Sequence, residues 1–337
     1  PIIIRGPETA AAPTRLSCAA IFASRLPDRD RRDVTFSRYV VVYRHKDADA
    51  RLVRRPPHPH CNQAIGRFSG GPPMIARLRI IAAILFVAFI TPPLALAQFI
   101  AMKTGLVPET IFPPLWHRTV LKALGVRVKV VGAMSSQRPL LLASNHISWA
   151  DIMVIGSRFD VRFIAKAEMS NWPIMGFLSK LQHTIFVERE RKRKSGAQAS
   201  EIALDMAAGH AMVLFPEGTT ADGNFILPFK SSLFGAAQMA IDEHTADKVF
   251  IQPLAIAYTR VNGLPMGRKH RARFSWAGAE GLWPSLRRFL HERAVDVELR
   301  FGEPIEFHAA SKRKDIARVA EASVRGMFAQ ALAGGQQ

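Results

Sequence analysis

The sequence predicts an α/β domain built on a single mixed sheet flanked by helices, preceded by an N-terminal membrane-associated helical segment. Two observations support this prediction. Short apolar runs bounded by turn residues alternate with helical stretches over the C-terminal two thirds of the chain, a pattern typical of a largely parallel sheet covered by helices. A 23-residue stretch without a charged side chain, residues 80–102, precedes them. At about 1.5 Å per residue, a helix of this length reaches across the hydrocarbon core of a bilayer.

The amino-acid composition limits which kinds of binding partner and which kinds of chemistry the protein can have. The 337 residues are 48% hydrophobic and 22% charged, a composition that excludes a wholly disordered chain. Lysine and arginine outnumber aspartate and glutamate by 46 to 27. The formal charge of +19 predicts an anionic partner, such as nucleic acid, an acidic protein or a membrane surface. The two cysteines, Cys18 and Cys61, are too few for a disulfide scaffold.

Residues 1–73 differ from the rest of the chain. They are rich in arginine and proline and sustain neither helical nor strand periodicity, so we expect this segment to be disordered or not natively translated. All 11 methionines lie at or after Met74, which favours Met74 as the native start. Two histidines and a cysteine at residues 58–61 have no second ligand pair at zinc spacing, and we therefore predict no metal site.

The apolar stretch lies within residues 74–114, which we expect to form the membrane-associated segment. Three alternatives are open: a cleaved signal peptide, since residues 95–97 read Ala-Leu-Ala; a single transmembrane anchor; and a helical hairpin within one leaflet. The two prolines after Thr91 predict a break near the middle of the helix, which suits the hairpin. A buried core helix is disfavoured because such helices rarely remain uncharged over this length.

Seven strands and four helices are predicted downstream of this segment. The strands are expected at residues 139–143, 162–165, 184–188, 211–215, 250–258, 272–276 and 295–301. The helices are expected at residues 149–157, 196–208, 233–241 and 312–332. We assign residues 115–311 to one α/β domain and residues 312–337 to a C-terminal helix and tail.

A histidine and an aspartate five positions apart occupy the turn after the first of these strands. Asp151, at the start of a helix, is placed to accept the Nδ1 proton of His146 and to leave Nε2 as a base for an incoming hydroxyl. The alternative is that Asp151 caps the helix while His146 is only hydrogen-bonded in a loop. Because no G-x-S-x-G elbow supplies a serine nucleophile, a two-residue base fits better than a triad.

A second turn, at residues 215–220, follows the strand at residues 211–215. It places the carboxylate of Glu217, a glycine and two hydroxyls at a strand end, where functional side chains are often found. Gly218 is able to adopt a positive φ there. A bare turn would not need Glu217, so the turn is a candidate part of the same site.

Four short blocks follow one another between residues 139 and 257. Residues 145–151 read N-H-x-x-x-x-D, residues 185–189 read I-F-V-E-R, residues 215–219 read F-P-E-G-T and residues 252–256 read Q-P-L-A-I. In this order they resemble the blocks of the 1-acylglycerol-3-phosphate O-acyltransferase family. The resemblance implies an enzyme that moves a fatty acyl group from acyl carrier protein or acyl-CoA to the hydroxyl of a lysolipid.

The resemblance also implies residue roles. It makes His146 the general base and Asp151 its orienting partner, and it assigns acceptor binding to the other matched residues: Asn145, Arg189, Glu217, Gly218, Thr219 and Lys230. The planar guanidinium of Arg189 suits an anionic head group, an ion pair with a neighbouring glutamate being the alternative. No metal or organic cofactor is implied, because the thioester already carries the activation.

Two departures from the family pattern bear on the acceptor. Thr220 stands where members that acylate glycerophosphate commonly carry arginine, and Ser232 stands where they commonly carry glycine. The pattern is similar to the lyso-ornithine lipid O-acyltransferase branch, whose acceptor head carries a carboxylate. The acceptor is therefore expected to be lyso-ornithine lipid or 1-acylglycerol-3-phosphate.

A location and partners follow from the same resemblance. Because both thioester donors are cytoplasmic, it implies the cytoplasmic face of the bacterial inner membrane, with the enzyme monotopic or anchored by residues 80–102. The basic run at residues 189–194 is a solvated loop or contacts anionic lipid heads or the carrier protein. It carries no nucleic-acid reading motif. The rival classes are a catalytically idle, membrane-tethered binding module for lipid or carrier protein and an exported lipid-active protein.

Overall fold

The computed structural model describes residues 34–37, 40–43, 74–187, 192–242, 246–276 and 281–334. The chain divides into two units, Pro1–Gly71 and Pro72–Gln337. In the first unit the described residues form an antiparallel pair of strands, β1 (Val34–Ser37) and β2 (Val40–Tyr43), which the sequence did not predict. The rest of the segment expected to be disordered or untranslated, and the cluster at residues 58–61, lie outside the described residues.

The second unit begins with one long apolar helix, α1 (Met74–Thr104). The predicted break after Thr91 is wrong: Pro92 and Pro93 lie inside a continuous helix. By length and composition, α1 is long and apolar enough to cross a membrane. Tertiary contacts offset the helix-breaking tendency of the prolines, since the indole Nε1 of Trp116 donates to the Thr91 hydroxyl oxygen over 2.9 Å beside them.

Both ends of α1 are also fastened to the α/β domain. The guanidinium of Arg79 donates to the carbonyl oxygens of Leu290 and Glu292, each over 2.7 Å. Nineteen residues later, the buried side-chain amide of Gln98 donates to the Leu181 carbonyl over 2.8 Å. One side of α1 therefore lies along the domain for most of its length.

The described residues of the second unit form one mixed sheet of nine strands. The strands are β3 (Val126–Val131), β4 (Leu140–Ser144), β5 (Arg162–Lys166), β6 (Ile185–Val187), β7 (Ala211–Leu214), β8 (Lys248–Val261), β9 (Leu264–Pro265), β10 (Val295–Phe301) and β11 (Ile305–His308). Their order is β3-β10-β8-β4-β7-β5-β6, with β9 and β11 also paired to β8. Strands β8, β4, β7, β5 and β6 run parallel to one another, whereas β9, β10 and β11 run antiparallel to β8.

Helices cover this sheet. They are α2 (Phe112–Ala123), α3 (Ala150–Gly156), α4 (Met175–Leu181), α5 (Lys192–Ala207), α6 (Gly235–Asp242), α7 (Arg268–Phe274), α8 (Leu282–His291) and α9 (Arg313–Gly334). The predicted fold class, a single mixed sheet flanked by helices and preceded by an apolar helix, is therefore confirmed.

The strand predicted at residues 272–276 is wrong. This segment ends helix α7, and only Ser275 and the residues after it leave the helix. The alternating pattern that suggested a strand comes from a single buried side chain, Phe274, which is 1% exposed and lies 5.0 Å, ring to ring, from Phe289 of α8. Burial at the end of a short helix thus imitates the period of a strand.

The centre of the sheet determines where the functional turns meet. All five residues of β4 are buried, and β4 lies between β7 and β8. The parallel register pairs Ala143 with Leu214, so the turns that leave the carboxyl ends of β4 and β7 begin side by side. These are the turns at residues 145–149 and 215–220, and an α/β sheet commonly binds its ligands at this edge.

Candidate active site

The turn after β4 holds His146 against Asp151. Asp151 lies in the first turn of α3, is fully buried, and places its Oδ2 atom 2.9 Å from Nδ1 of His146. The backbone N–H groups of Ile147 and Ser148 donate to the same oxygen over 2.6 and 2.9 Å. Asp151 therefore binds the turn that precedes the helix and the imidazole together. The helix-cap alternative is wrong, because the N-cap residue of α3 is Trp149 and it makes no side-chain cap hydrogen bond.

This arrangement sets the proton on the imidazole. A carboxylate oxygen accepts and does not donate, so Nδ1 of His146 carries the proton and Nε2 of the neutral ring is unprotonated. The ring stacks on Phe215, with centroids 4.1 Å apart and planes 18° apart. The imidazole of His146 is thus oriented by both functional turns.

Tyr258 is a member of the site that the sequence did not reveal. Its hydroxyl donates to the second carboxylate oxygen of Asp151, Oδ1, over 2.8 Å, and the residue is 1% exposed. Burial raises the pKa of Tyr258 well above its usual value, and the negative charge of Asp151 adds to the shift. The phenol therefore stays neutral and donates. In the parallel register Ser144 pairs with Leu254, so Tyr258 lies on the part of β8 that extends past β4.

Glu217 comes from the turn after β7 and lies against the same loop. The Gly218 N–H donates to the Phe215 carbonyl over 3.1 Å, and Gly218 has a φ of 72°, which favours glycine. The backbone N–H of His146 donates to Oε1 of Glu217 over 3.3 Å. Among the described residues, Oε2 of Glu217 is buried without a hydrogen-bond partner. Burial raises the pKa of Glu217 to about 8, so its side chain is largely protonated at neutral pH.

Backbone hydrogen bonds join the two turns. The Ala221 N–H donates to the His146 carbonyl over 2.8 Å, and the Trp276 N–H donates to the Ile147 carbonyl over 2.9 Å. The Thr220 hydroxyl donates to the Trp276 carbonyl. Thr220, one of the two departures from the family pattern, is therefore used in holding the turns together. His146, Asp151 and Glu217 consequently form one constellation, as the sequence predicted from two separate turns.

The predicted acceptor-binding residues lie in different surroundings. The side-chain amide of Asn145 is buried and pairs with the backbone of Ile256, donating to its carbonyl over 3.0 Å and accepting its N–H over 2.8 Å. This pair continues the β4–β8 ladder by one step. Thr219 and Lys230 are exposed, and the Lys230 N–H donates to the Pro216 carbonyl over 2.8 Å. Arg189 lies outside the described residues. Of the basic run that begins there, only the backbone from Lys192 onward, in α5, is described.

An apolar groove runs between α1, α2, α3 and α4. It is open to solvent, and its lining includes Leu94, Phe112, Trp116, Trp149, Met153 and Leu178. Trp149 belongs to the turn after β4, three residues from His146 along the chain, whereas His146, Asp151 and Glu217 themselves do not line the groove. His117 also lines it, and burial lowers the pKa of that imidazole to about 4, which keeps it neutral. The groove therefore offers an uncharged surface to a hydrocarbon chain.

The donor set does not suggest a metal. Within the described ranges, no three histidine, cysteine, aspartate or glutamate side chains lie together in a way that would hold a metal ion. An imidazole that is hydrogen-bonded to a carboxylate through Nδ1 is able to take a proton from a hydroxyl at Nε2.

Comparisons with known proteins identify the group to which these features belong. The Acyltransferase family model matches residues 127–257. The chain is 46% identical, over 261 residues, to the lyso-ornithine lipid O-acyltransferase of Brucella abortus, covering 77% of this chain and 98% of that protein. It is 29% identical over 214 residues to the 1-acyl-sn-glycerol-3-phosphate acyltransferase of Neisseria meningitidis, covering 63% of this chain and 78% of that protein.

A solved structure shares the fold. It is the crystal structure of the 1-acyl-sn-glycerophosphate (LPA) acyltransferase, PlsC, from Thermotoga maritima, with a TM-score of 0.54 and 18% sequence identity over 76% of this chain and 97% of that chain. The family model, the high identity over nearly the whole Brucella protein and the base at the edge of the sheet agree. The chain belongs to the 1-acylglycerol-3-phosphate O-acyltransferase family, and it is a lysolipid acyltransferase.

Proposed function

We propose that the protein transfers a fatty acyl group from acyl carrier protein or acyl-CoA to the hydroxyl of lyso-ornithine lipid, a step of membrane lipid biosynthesis. The observation that carries this proposal is the His146–Asp151 pair, held in a turn whose Trp149 lines an apolar groove. The names of the relatives from Brucella abortus and Rhizobium meliloti, both lyso-ornithine lipid O-acyltransferases, favour that acceptor. Thr220 adds support, because its hydroxyl is hydrogen-bonded within the site and it brings no cation for a phosphate.

The geometry accounts for the transfer step. Nε2 of His146 takes the proton of the acceptor hydroxyl while the oxygen attacks the thioester carbonyl. The carbon–sulfur bond then breaks, and the leaving thiolate takes the proton from the imidazolium. Asp151 stabilises the imidazolium that forms between these steps, and Tyr258 holds Asp151 in place. The Ile147 and Ser148 N–H groups already bind Asp151, so the donors for the oxyanion lie elsewhere.

The other predicted residues divide between positioning and acceptor binding. Asn145 fixes the start of the catalytic turn through Ile256 and is a positioning residue. Thr219, Gly218 and Glu217 shape the acceptor side of the site. Lys230 is exposed and tied to the same turn by its backbone, so with Arg189 it supplies positive charge for an anionic head group.

The contacts of α1 support a monotopic arrangement, which we propose lies at the cytoplasmic face of the inner membrane because both thioester donors are cytoplasmic. From Arg79 to Gln98, about 28 Å along the helix, one side of α1 bonds to the α/β domain. A helix crossing the bilayer would carry those domain residues into hydrocarbon. The opposite side exposes large apolar residues at intervals of three, four or seven positions: Leu78, Ile81, Leu85, Phe89, Leu96 and Ile100. This stripe suits a helix lying in one leaflet, beside the lysolipid.

One experiment tests the function and the base together. The full chain, purified in detergent, is given labelled acyl carrier protein or acyl-CoA and either lyso-ornithine lipid or lysophosphatidate. We expect transfer to lyso-ornithine lipid and a loss of at least about a hundredfold in the His146→Ala variant, with lysolipid binding retained. His308→Ala, an exposed histidine of β11, serves as the control and should keep full activity. Equal transfer by His146→Ala would reject the mechanism, and exclusive use of lysophosphatidate would reject the acceptor.

A further inference from the structure

Helix α7 carries a dense group of positive charges. Its seven residues include Arg268, Lys269, His270, Arg271 and Arg273 and no acidic residue. We call these five residues the α7 cation cluster. Four of them are exposed, and Arg271 is partly buried. Only Arg273 of the cluster falls in the segment for which the sequence predicted a strand, and the whole cluster is far along the chain from the basic run at residues 189–194.

Among the described residues, most of this charge is not paired with a carboxylate. Arg273 approaches Glu292 at 3.5 Å, but in the described ranges no carboxylate lies within 4.0 Å of the side chains of Arg268 or Lys269. Burial lowers the pKa of Arg271, the neighbouring charge of Arg268 lowers it further, and Asp222 opposes these shifts. An excess of like charges on one short helix is destabilising by itself, which points to an anionic partner outside the chain.

The cluster is fixed to the catalytic turns. The Asn224 side-chain amide donates to the Arg268 carbonyl over 3.1 Å, and Nε of Arg271 donates back to the Asn224 side-chain oxygen over 3.1 Å. Gly223 fits between Arg271 and Ile147, the residue after His146: a Cβ atom on Gly223 would lie 3.3 Å from the Ile147 side chain and 3.6 Å from that of Arg271. The cluster is therefore only one layer of residues from the catalytic histidine.

We propose that the α7 cation cluster is the docking site for acyl carrier protein, the acidic protein that bears the acyl thioester on a phosphopantetheine arm. This inference rests on the proposed function. Carboxylates on the carrier would pair with Arg268 and Lys269 and place the arm beside His146. An anionic membrane surface fits α7 less well, because a helix that binds lipid turns apolar side chains outward and the one large apolar side chain of α7, Phe274, is 1% exposed.

The test reverses the charge of the two cations that lack partners. In the full chain, the Arg268→Glu/Lys269→Glu variant is expected to raise the KM for acylated carrier protein about tenfold or more. The dependence of that KM on salt concentration should be weaker than in the wild type. The kcat value, the KM for the lysolipid and transfer from acyl-CoA should stay within about twofold. Lys312→Glu/Lys314→Glu, an equal charge reversal at exposed positions around the start of α9, is the control and should leave every constant unchanged. Direct binding of fluorescent carrier protein to the three proteins gives a second readout that does not depend on turnover.

The outcomes separate this inference from the proposed function. If the wild type transfers acyl groups from carrier protein and the KM for carrier protein is unchanged in the Arg268→Glu/Lys269→Glu variant, the docking site is overturned. The proposed function is then unaffected. A rise in the KM for the lysolipid, or an equal rise for carrier protein and acyl-CoA, overturns it as well, since the cluster would then bind lipid heads or phosphate. Wild-type transfer from acyl-CoA alone also overturns the docking site. Transfer from neither donor contradicts the proposed function itself.

Discussion

The turn after β4 and the turn after β7 each bury a carboxyl group, but they treat it in opposite ways. Asp151 is fully buried and its two oxygens are near four donors: the His146 ring, the N–H groups of Ile147 and Ser148, and the Tyr258 hydroxyl. Glu217 is 1% exposed, accepts backbone N–H groups at one end, and has an oxygen without a partner among the described residues. Burial is thus nearly equal, and the supply of donors differs.

This difference shows how equal burial acts on two acids whose supply of hydrogen-bond donors differs. The donors around Asp151 replace the water that burial removes from its carboxyl group. Glu217 has fewer donors, and burial raises its pKa to about 8. At neutral pH Glu217 therefore carries a largely neutral carboxyl group.

Asp151→Asn should have the largest effect. An amide presents N–H groups to the donors of Ile147 and Ser148 and no longer stabilises a protonated His146, so we expect transfer to fall at least about a hundredfold. The unpaired donors should also lower the free energy of unfolding by about 1–3 kcal/mol. Single-turnover acyl transfer and thermal unfolding in detergent measure both effects.

Asp315→Asn is the matched control for that variant. Asp315 lies in the first turn of α9, as Asp151 does in α3, but it is exposed and pairs only with Arg318 over 3.2 Å. Its loss should change transfer and stability little. If Asp151→Asn kept activity at the level of this control, the charge assigned to Asp151 would have no part in catalysis.

Glu217→Gln should have the next largest effect, on the pH dependence of stability. The folded pKa of about 8 lies above the ordinary value of 4.5, so between these values the unfolded chain releases a proton that the folded chain retains. Stability is full below about pH 4.5 and is lost as the pH rises through 8, at up to about 1.4 kcal/mol per pH unit from this group. A neutral glutamine removes that slope.

Unfolding of the wild type and of Glu217→Gln from pH 5 to pH 8 measures the slope. As the pH rises, the free energy of unfolding of the wild type should fall steadily relative to that of the variant. Glu303→Gln, which removes an exposed glutamate, controls for the loss of an acid and should give a curve parallel to the wild type. Parallel curves for Glu217→Gln would show that its carboxyl group is ionised in the folded protein.

The sequence predicted those parts of the fold that continuous apolar runs specify. The strands β4, β7 and β8 are buried on both faces, and β10 is mostly buried; their positions were predicted within a few residues. It missed β3, whose valines alternate with charged residues at the edge of the sheet. It also placed a break in α1, because the contacts that α1 makes with Trp116 and, through Gln98, with Leu181 involve residues distant in sequence.

The same limit applies to the site. His146, Asp151 and Glu217 could be predicted because each lies in a short turn beside a recognisable strand, and the structure brings them together. Tyr258 lies 107 positions from Asp151, and only the sheet register reveals that β8 extends past β4 at that residue. A buried tyrosine on a central strand was the one available signal. The substrate contacts of Asn145, Thr219 and Lys230 stay predictions.

Tyr258→Phe should have the smallest effect of these changes, and it sharpens the comparison most. The variant leaves Oδ1 of Asp151 without a donor while Oδ2 keeps His146, Ile147 and Ser148. We expect the free energy of unfolding to fall by about 1–3 kcal/mol and kcat to fall severalfold with KM unchanged. Because Asp151 would then have one carboxyl oxygen without a donor, as Glu217 has, the pH profile of kcat should also shift.

A neighbouring residue of the same strand separates this positioning role from general stability. Thr259→Val removes a hydroxyl that donates to the Asp296 carbonyl over 3.3 Å, so it should cost some stability but leave kcat and its pH profile as in the wild type. If Tyr258→Phe and Thr259→Val behave alike, the phenol only supports the sheet. If Tyr258→Phe alone shifts the pH profile, the number of donors around Asp151 sets the charge on which the His146 base depends.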